Sequence, residues 1–126
     1  MNDHTPLNRH AIGASNEELA LDYLLAKGYI LVKKNFRFGK MGEIDLVMRD
    51  RRVYVFIEVK ARRSHQYGLP EDAVNITKRR QIRRVANGFV HVFRLTDYEA
   101  RFDVVAIDYV TGHDGAPEIR HHIDAF

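Results

Sequence analysis

Apolar and polar positions change period several times along the 126-residue chain, and each change marks an element. Residues 1–14 are largely polar and aperiodic, which predicts a flexible arm ahead of one folded unit over 15–126. Ser15, followed three residues later by Glu18, is a capping box: each satisfies an orphan amide of the other, starting a helix over about 16–27. Ala20, Leu21 and Leu24 share one sector of that helix, and Gly28 ends it. A β-branched and aromatic run over 29–36 reads as a strand, and Gly39 and Gly42 bracket the connection that follows. Period-two alternation over 43–48 and 53–59 predicts a hairpin closing at residues 49–52. Helical spacing returns over about 77–94, with the stripe Ile82, Val85, Ala86, Phe89, Val90 and Phe93. Strands over 101–109 and 118–123, joined through Gly112 to Pro117, complete the pattern.

Symmetric closure of the central hairpin sets Asp50 opposite Val53, and hence Asp45 opposite Glu58 and Glu43 opposite Lys60. Glu43, Asp45, Tyr54, Phe56, Glu58 and Lys60 then share one face, while Ile44, Leu46, Val53, Val55, Ile57 and Val59 fill the other. Both faces carry apolar groups, so helices are expected on both sides of the sheet: an α/β sandwich.

Length limits the chain to one ordinary domain, and 45% apolar with 29% charged residues is the balance of a folded protein. With no cysteine there is no disulfide, thiolate metal site or cysteine nucleophile, and no run approaches the roughly 18 apolar residues of a membrane span. A cytoplasmic protein without a membrane partner is the expectation. The net charge of +3 is modest, but the basic residues are grouped: Lys33, Lys34, Arg37 and Lys40; Lys60, Arg62 and Arg63; Lys78, Arg79, Arg80, Arg83 and Arg84. Such groups either face water or form an electrostatic footprint for phosphate. Arg62, Arg63 and Lys78 are the first choices for phosphate contacts, with Arg80 and Arg84 on the outward side of their helix.

The hairpin carries the chemistry. Asp45 on one strand and Glu58-x-Lys60 on the next gather two carboxylates and an amine on one face. Carboxylate oxygens are the hard ligands that Mg²⁺ takes, and an ion held by only one or two of them keeps positions open for a phosphate. Phosphodiester hydrolysis by in-line attack follows as a reaction class, with Lys60 orienting the water or stabilising the developing charge. The same three groups also make sense as a cross-strand ion cluster. Glu17 falls inside the apolar sector of the first helix, about 100° from Glu18, and is either a third ligand or a buried partner for an arginine. Tyr67, Phe36 and Phe38 are candidates for stacking on unpaired bases, although core packing is the stronger expectation for each phenylalanine. Asp103 fits a salt bridge better than the site, and the seven histidines do not fall at zinc-ligand spacing.

The ordered set Gly13, Asn16-Glu17-Glu18-Leu19-Ala20, Gly28-Tyr29, Asn35, Gly42-Glu43-Ile44-Asp45-Leu46, Phe56-Ile57-Glu58-Val59-Lys60, Arg62, Gly68, Lys78 and Arg101-Phe102-Asp103-Val104-Val105 resembles the YraN-like family of uncharacterised bacterial proteins. That resemblance spans most of the chain and leads to the PD-(D/E)XK nuclease superfamily and, distantly, to archaeal Holliday junction resolvases. It implies a single-domain restriction-endonuclease-like α/β/α sandwich with a mixed central sheet. Carried over residue by residue, it implies Asp45 and Glu58 as Mg²⁺ ligands, with Mn²⁺ as a substitute, Lys60 as the catalytic lysine, Glu17 as the helix carboxylate and Glu43 as a residue tuning Lys60. Where that family usually has Gly-Glu, this chain has Asn16-Glu17. The implied activity is an endonuclease acting on DNA, with branched DNA among the candidate substrates. The alternatives are a nucleic-acid-binding module that keeps the fold without turnover, and a structural partner protein with an ion cluster. Junction-cutting relatives tend to be dimers, which suggests a homodimer.

Overall fold

Ser15 Oγ accepts a hydrogen bond from the Glu18 amide at 3.1 Å, and the Glu18 carboxylate accepts one from the Ser15 amide at 3.0 Å. Helix α1, Asn16–Ala26, begins on this reciprocal cap as expected. The computed structural model describes residues 15–126; the expected arm over 1–14 and the family residue Gly13 lie outside the described residues. Strands β1 (Ile30–Arg37), β2 (Glu43–Asp50) and β3 (Val53–Arg62) follow, then a 3₁₀ turn (Pro70–Ala73), helix α2 (Ile76–Val92) and strands β4 (Glu99–His113) and β5 (Ala116–His122).

The five strands form one sheet in the order β1-β2-β3-β4-β5, antiparallel except where β3 runs parallel to β4. Only the β3-to-β4 connection has to cross a face, and α2 makes that crossing. Leu19, Ala20, Leu21 and Leu24 of α1 pack with Leu46, Met48, Val55, Ile57, Val105 and Ile107 on one face. On the other, Ile82, Val85, Ala86 and Phe89 of α2 pack with Val47, Phe56 and Val104. This is the expected α/β/α sandwich with a mixed sheet. Phe89 anchors α2 by meeting Phe36 and Phe56 edge-on, at centroid separations of 5.1 and 5.6 Å. Burying one such ring contributes about 2 kcal/mol. Among the described residues no helix is long and apolar enough to cross a membrane.

Three sequence expectations are corrected. Phe93 is the C-cap of α2 rather than part of its buried stripe and is half exposed, although its ring still lies 4.4 Å from that of Phe89. Residues 112–117 are not a loose connection: β4 and β5 form a hairpin across Asp114-Gly115, both at positive φ (52° and 80°), the backbone that a tight turn of matching twist requires. Ile44 does not share a face with Leu46 but packs in the α2-side core, whereas Leu46 packs under α1. Strict alternation fails at the residue between them, Asp45, for a reason given below.

Beside β5 the sheet carries a polar cluster centred on Asp108 of β4 and Arg120 of β5. Asp108, fully buried, meets Arg120 Nη2 at 2.9 Å and His65 Nε2 at 2.8 Å and accepts from the Val110 amide at 2.9 Å. Arg120 also holds Glu71 of the 3₁₀ turn in a two-pronged contact, both prongs at 2.9 Å. Against the cost of burial, the Arg120 and His65 hydrogen bonds keep the Asp108 carboxyl below its usual range. The Arg120 guanidinium likewise holds Glu71 down to about 2. Removing one partner from such a cluster strands buried charge. Arg120→Ala is therefore expected to lower the free energy of unfolding by about 3 kcal/mol in urea titrations at neutral pH. Carboxyls with depressed folded-state pKa values stabilise above their unfolded values, so the deficit relative to the parent shrinks as pH falls from 4.5 towards about 2. An unchanged unfolding midpoint refutes the cluster's role.

Candidate active site

The β2–β3 ladder follows the expected register from Asp50↔Val53 back to Leu46↔Ile57, where the paired run ends. Past that point the Val59 amide donates to Asp45 Oδ2 at 2.8 Å. A side-chain carboxylate thus takes a strand amide, and β2 turns at Asp45, which carries Ile44 to the opposite face. The adjacent β1 deforms as well: Asn35 adopts a left-handed backbone, φ 51°, and its side-chain amide donates to Glu17 Oε1 at 2.8 Å. Asparagine is among the few residues that enter that region readily. The first turn of α1 is held over the gap by Tyr109, whose hydroxyl donates to Asn16 Oδ1 at 2.7 Å. The residue that departs from the family pattern therefore has a defined partner.

Glu58 projects from β3 with only 3% of its surface exposed. Its Oε2 lies 3.3 Å from Lys60 Nζ and 3.5 Å from Lys78 Nζ, and its Oε1 is buried with no hydrogen-bond partner. Lys78 arrives from the first turn of α2, where Asn75 caps the helix by accepting from the Lys78 amide at 2.9 Å. Gln81, one turn on, donates to the Met41 carbonyl at 2.9 Å and ties the β1–β2 connection to α2. That approach leaves no room beside Gly42: a Cβ there would meet the Gln81 amide at 2.6 Å, and its φ of 133° disfavours any side chain.

Electrostatics single out the same spot. Burial, first, and the neighbouring Glu58 carboxylate push the Asp45 carboxyl up to about 7, with Glu17 adding to the rise, while the Val59 amide and Lys60 oppose it. Three carboxylates face two ammonium groups, and one buried carboxylate oxygen is unsatisfied. An all-oxygen, electron-rich and under-neutralised donor set of this kind suits a hard divalent cation. Asp45 and Glu58 are the pair the fold brings together, with Glu17 fixed alongside by Asn35. Among the described residues no three carboxylate or imidazole groups already stand at ligand spacing around one point.

Other candidates are placed differently. The expected pairing of Glu43 with Lys60 does not form, because the ladder ends before it; Glu43 instead pairs with Arg37 of β1, at 3.7 Å. Arg62 is half-buried at the end of β3, Arg63 lies over the Tyr109 ring at 4.0 Å, and Arg80 and Arg84 are exposed on α2. Lys78, chosen from sequence for a phosphate contact, stands in the carboxylate cluster itself. Asp103 is bound by Arg101 at 3.1 Å and His121 at 2.7 Å. Phe36 is core, and the Phe38 ring lies so close to Gly88 of α2 that an added Cβ would overlap it. Asn35 and Gln81 have no role assigned from sequence; Asn35 carries a signal as a member of the family-like motif set and as an asparagine inside a strand, and Gln81 carries none.

A family model described as an uncharacterised protein family, UPF0102, matches residues 16–107. A UPF0102 protein of Natranaerobius thermophilus is 40% identical over 121 residues, covering 95% of this chain and all of the relative. One from Trichlorobacter lovleyi is 42% identical across 92% of this chain and 90% of its own, and one from Thermodesulfovibrio yellowstonii 43% identical across 79% and 88%.

The raised Asp45 value has a sign that can be checked. Between 3.8 and about 7 the folded protein keeps a proton that the unfolded chain has released, so this group's contribution to stability falls as pH rises. Without divalent ions, the melting temperature of Asp45→Asn is expected to gain on the parent's steadily from pH 4 to pH 7 and to hold its lead above that. A difference independent of pH contradicts this.

Proposed function

This chain belongs to UPF0102, an uncharacterised family within the PD-(D/E)XK-like nuclease superfamily; from that premise we propose a Mg²⁺-dependent endonuclease that hydrolyses phosphodiester bonds of DNA, with branched or otherwise structured DNA as the first substrates to try. The observation that carries this reading is the buried, unsatisfied Oε1 of Glu58 beside Asp45. A buried carboxylate oxygen without a donor costs a fold roughly 1–3 kcal/mol, a cost that a bound cation would offset.

Asp45 and Glu58 would hold the ion, with Glu17 as the neighbouring helix carboxylate; Mn²⁺ fits the same donors. When bound, the ion supplies positive charge that polarises the phosphoryl group and offsets the carboxylates. Lys60, tethered to Glu58 yet about a third exposed, reaches from the cluster to the solvent side, where it would hold the attacking water and meet charge developing on the phosphate. Lys78 would lie against the same phosphate from the α2 side. The Val59 amide fixes Asp45 and Asn35 fixes Glu17, so two of the three carboxylates are oriented before any ligand arrives. Arg62 and Arg63, just beyond Lys60, and Arg80 and Arg84 on α2 supply charge for the flanking backbone.

Single-stranded, duplex, flap and four-way-junction DNA incubated with Mg²⁺ or Mn²⁺ provide the test. Cleavage is expected to need the metal and to fall roughly a hundredfold or more in Glu58→Ala and in Lys60→Ala. Absent or metal-independent cleavage, with both variants matching the parent, defeats the proposal. Salt-dependent DNA binding that survives Asp45→Ala without any turnover would favour the non-catalytic binding module instead.

A further inference from the structure

Among the three aromatic side chains that the sequence offers as base-stacking platforms, the structure withdraws two. Phe36 is buried in the α2-side core, and Phe38 is pressed against Gly88. Tyr67 is left, with 78% of its surface exposed. Its neighbours are not loose. On one side the His65 imidazole is fixed to buried Asp108 at 2.8 Å, and the Gln66 amide donates to Ser64 Oγ at 3.0 Å. On the other, the Gly68 amide donates to the His65 carbonyl at 3.1 Å and the Leu69 amide to Asp72 Oδ2 at 2.9 Å. The His65 and Asp72 bonds pin the backbone on both sides of Tyr67, so the ring is held out into water in a defined position, ready for a flat partner.

Location says what that something is. The loop leaves the end of β3 just after Lys60 and Arg62 and returns through the 3₁₀ turn to the start of α2, where Lys78 enters the carboxylate cluster. Tyr67 therefore stands at the same end of the sheet as the candidate site, between two basic segments that suit a phosphate backbone. A flat, exposed aromatic flanked by cations at a backbone-tracking surface is how proteins take up unpaired nucleotides. We propose that Tyr67 stacks on an unpaired base of DNA next to the candidate active site, which makes strands with unstacked bases, rather than continuous duplex, the preferred ligand. The proposal rests on the nucleic-acid half of the function above.

Fluorescence anisotropy in EDTA, where nothing is cut, separates stacking from charge. A labelled single-stranded oligonucleotide is compared with a strand of equal length carrying abasic sites and with a duplex. The parent is expected to favour the base-bearing strand. Tyr67→Ala weakens that strand about tenfold and leaves the abasic strand and the duplex unchanged, while Tyr67→Phe restores the parent affinity. Because Tyr67 meets no phosphate, the salt dependence of binding stays the same in all three proteins. An alanine variant that binds the base-bearing strand like the parent, or that loses affinity equally for all three ligands, overturns the proposal. A parent that discriminates through Tyr67 yet cuts none of the DNA panel sinks the nuclease reading and leaves the stacking site standing; a parent that cuts but ignores the presence of bases does the reverse.

Discussion

The hydrogen bond from the Val59 amide to the Asp45 carboxylate is the contact on which the site depends. In an uninterrupted antiparallel ladder that amide would meet a backbone carbonyl, and Asp45 would be one more side chain on a regular face. Once the side chain takes the amide, the paired run can stop at Leu46↔Ile57 without orphaning it. The other groups gather around that point. Glu58 and Lys60 come from β3, α1 brings Glu17 from one layer, and α2 brings Lys78 from the other. The site is thus a property of all three layers, and none of them could supply it alone.

The parts of this arrangement that were legible in the sequence are those set by local rules. A capping box fixes where α1 starts, helical spacing fixes which side of α2 is buried, and the alternation of β2 and β3 fixes a register that the structure follows from Asp50↔Val53 to Leu46↔Ile57. Where those rules stop, legibility stops. Extending the ladder past Leu46 predicted that Glu43 would face Lys60, but Asp45 had already ended the pairing, and Glu43 lies with Arg37 on β1. The alternation likewise misplaced Ile44, because period two assumes that each backbone amide pairs with backbone. Asp114-Gly115 is readable as a tight turn, and treating the whole of 112–117 as the connection leaves β4 and β5 too short. The contact of Lys78 with Glu58 joins residues far apart in the chain and needs the sandwich closed before it exists.

Among the buried carboxylates of the described residues, Asp108 and the Asp45–Glu58 pair stand at opposite extremes. At β5, Asp108 has a guanidinium, an imidazole and a backbone amide directed at it, and its acidity is increased despite full burial. Fold stability accounts for such a cluster: both oxygens of the buried carboxylate are met by donors. At the β2–β3 opening the balance runs the other way. Glu58 has one oxygen shared by two lysines and the other without a partner, while Asp45 is made less acidic by burial and by the carboxylates beside it. Repulsion and desolvation concentrated at one point are a standing cost to stability. A cation entering between Asp45 and Glu58 would relieve both at once, and that physical asymmetry, more than the motif itself, supports reading the pair as a ligand site over an ion cluster that braces a sheet.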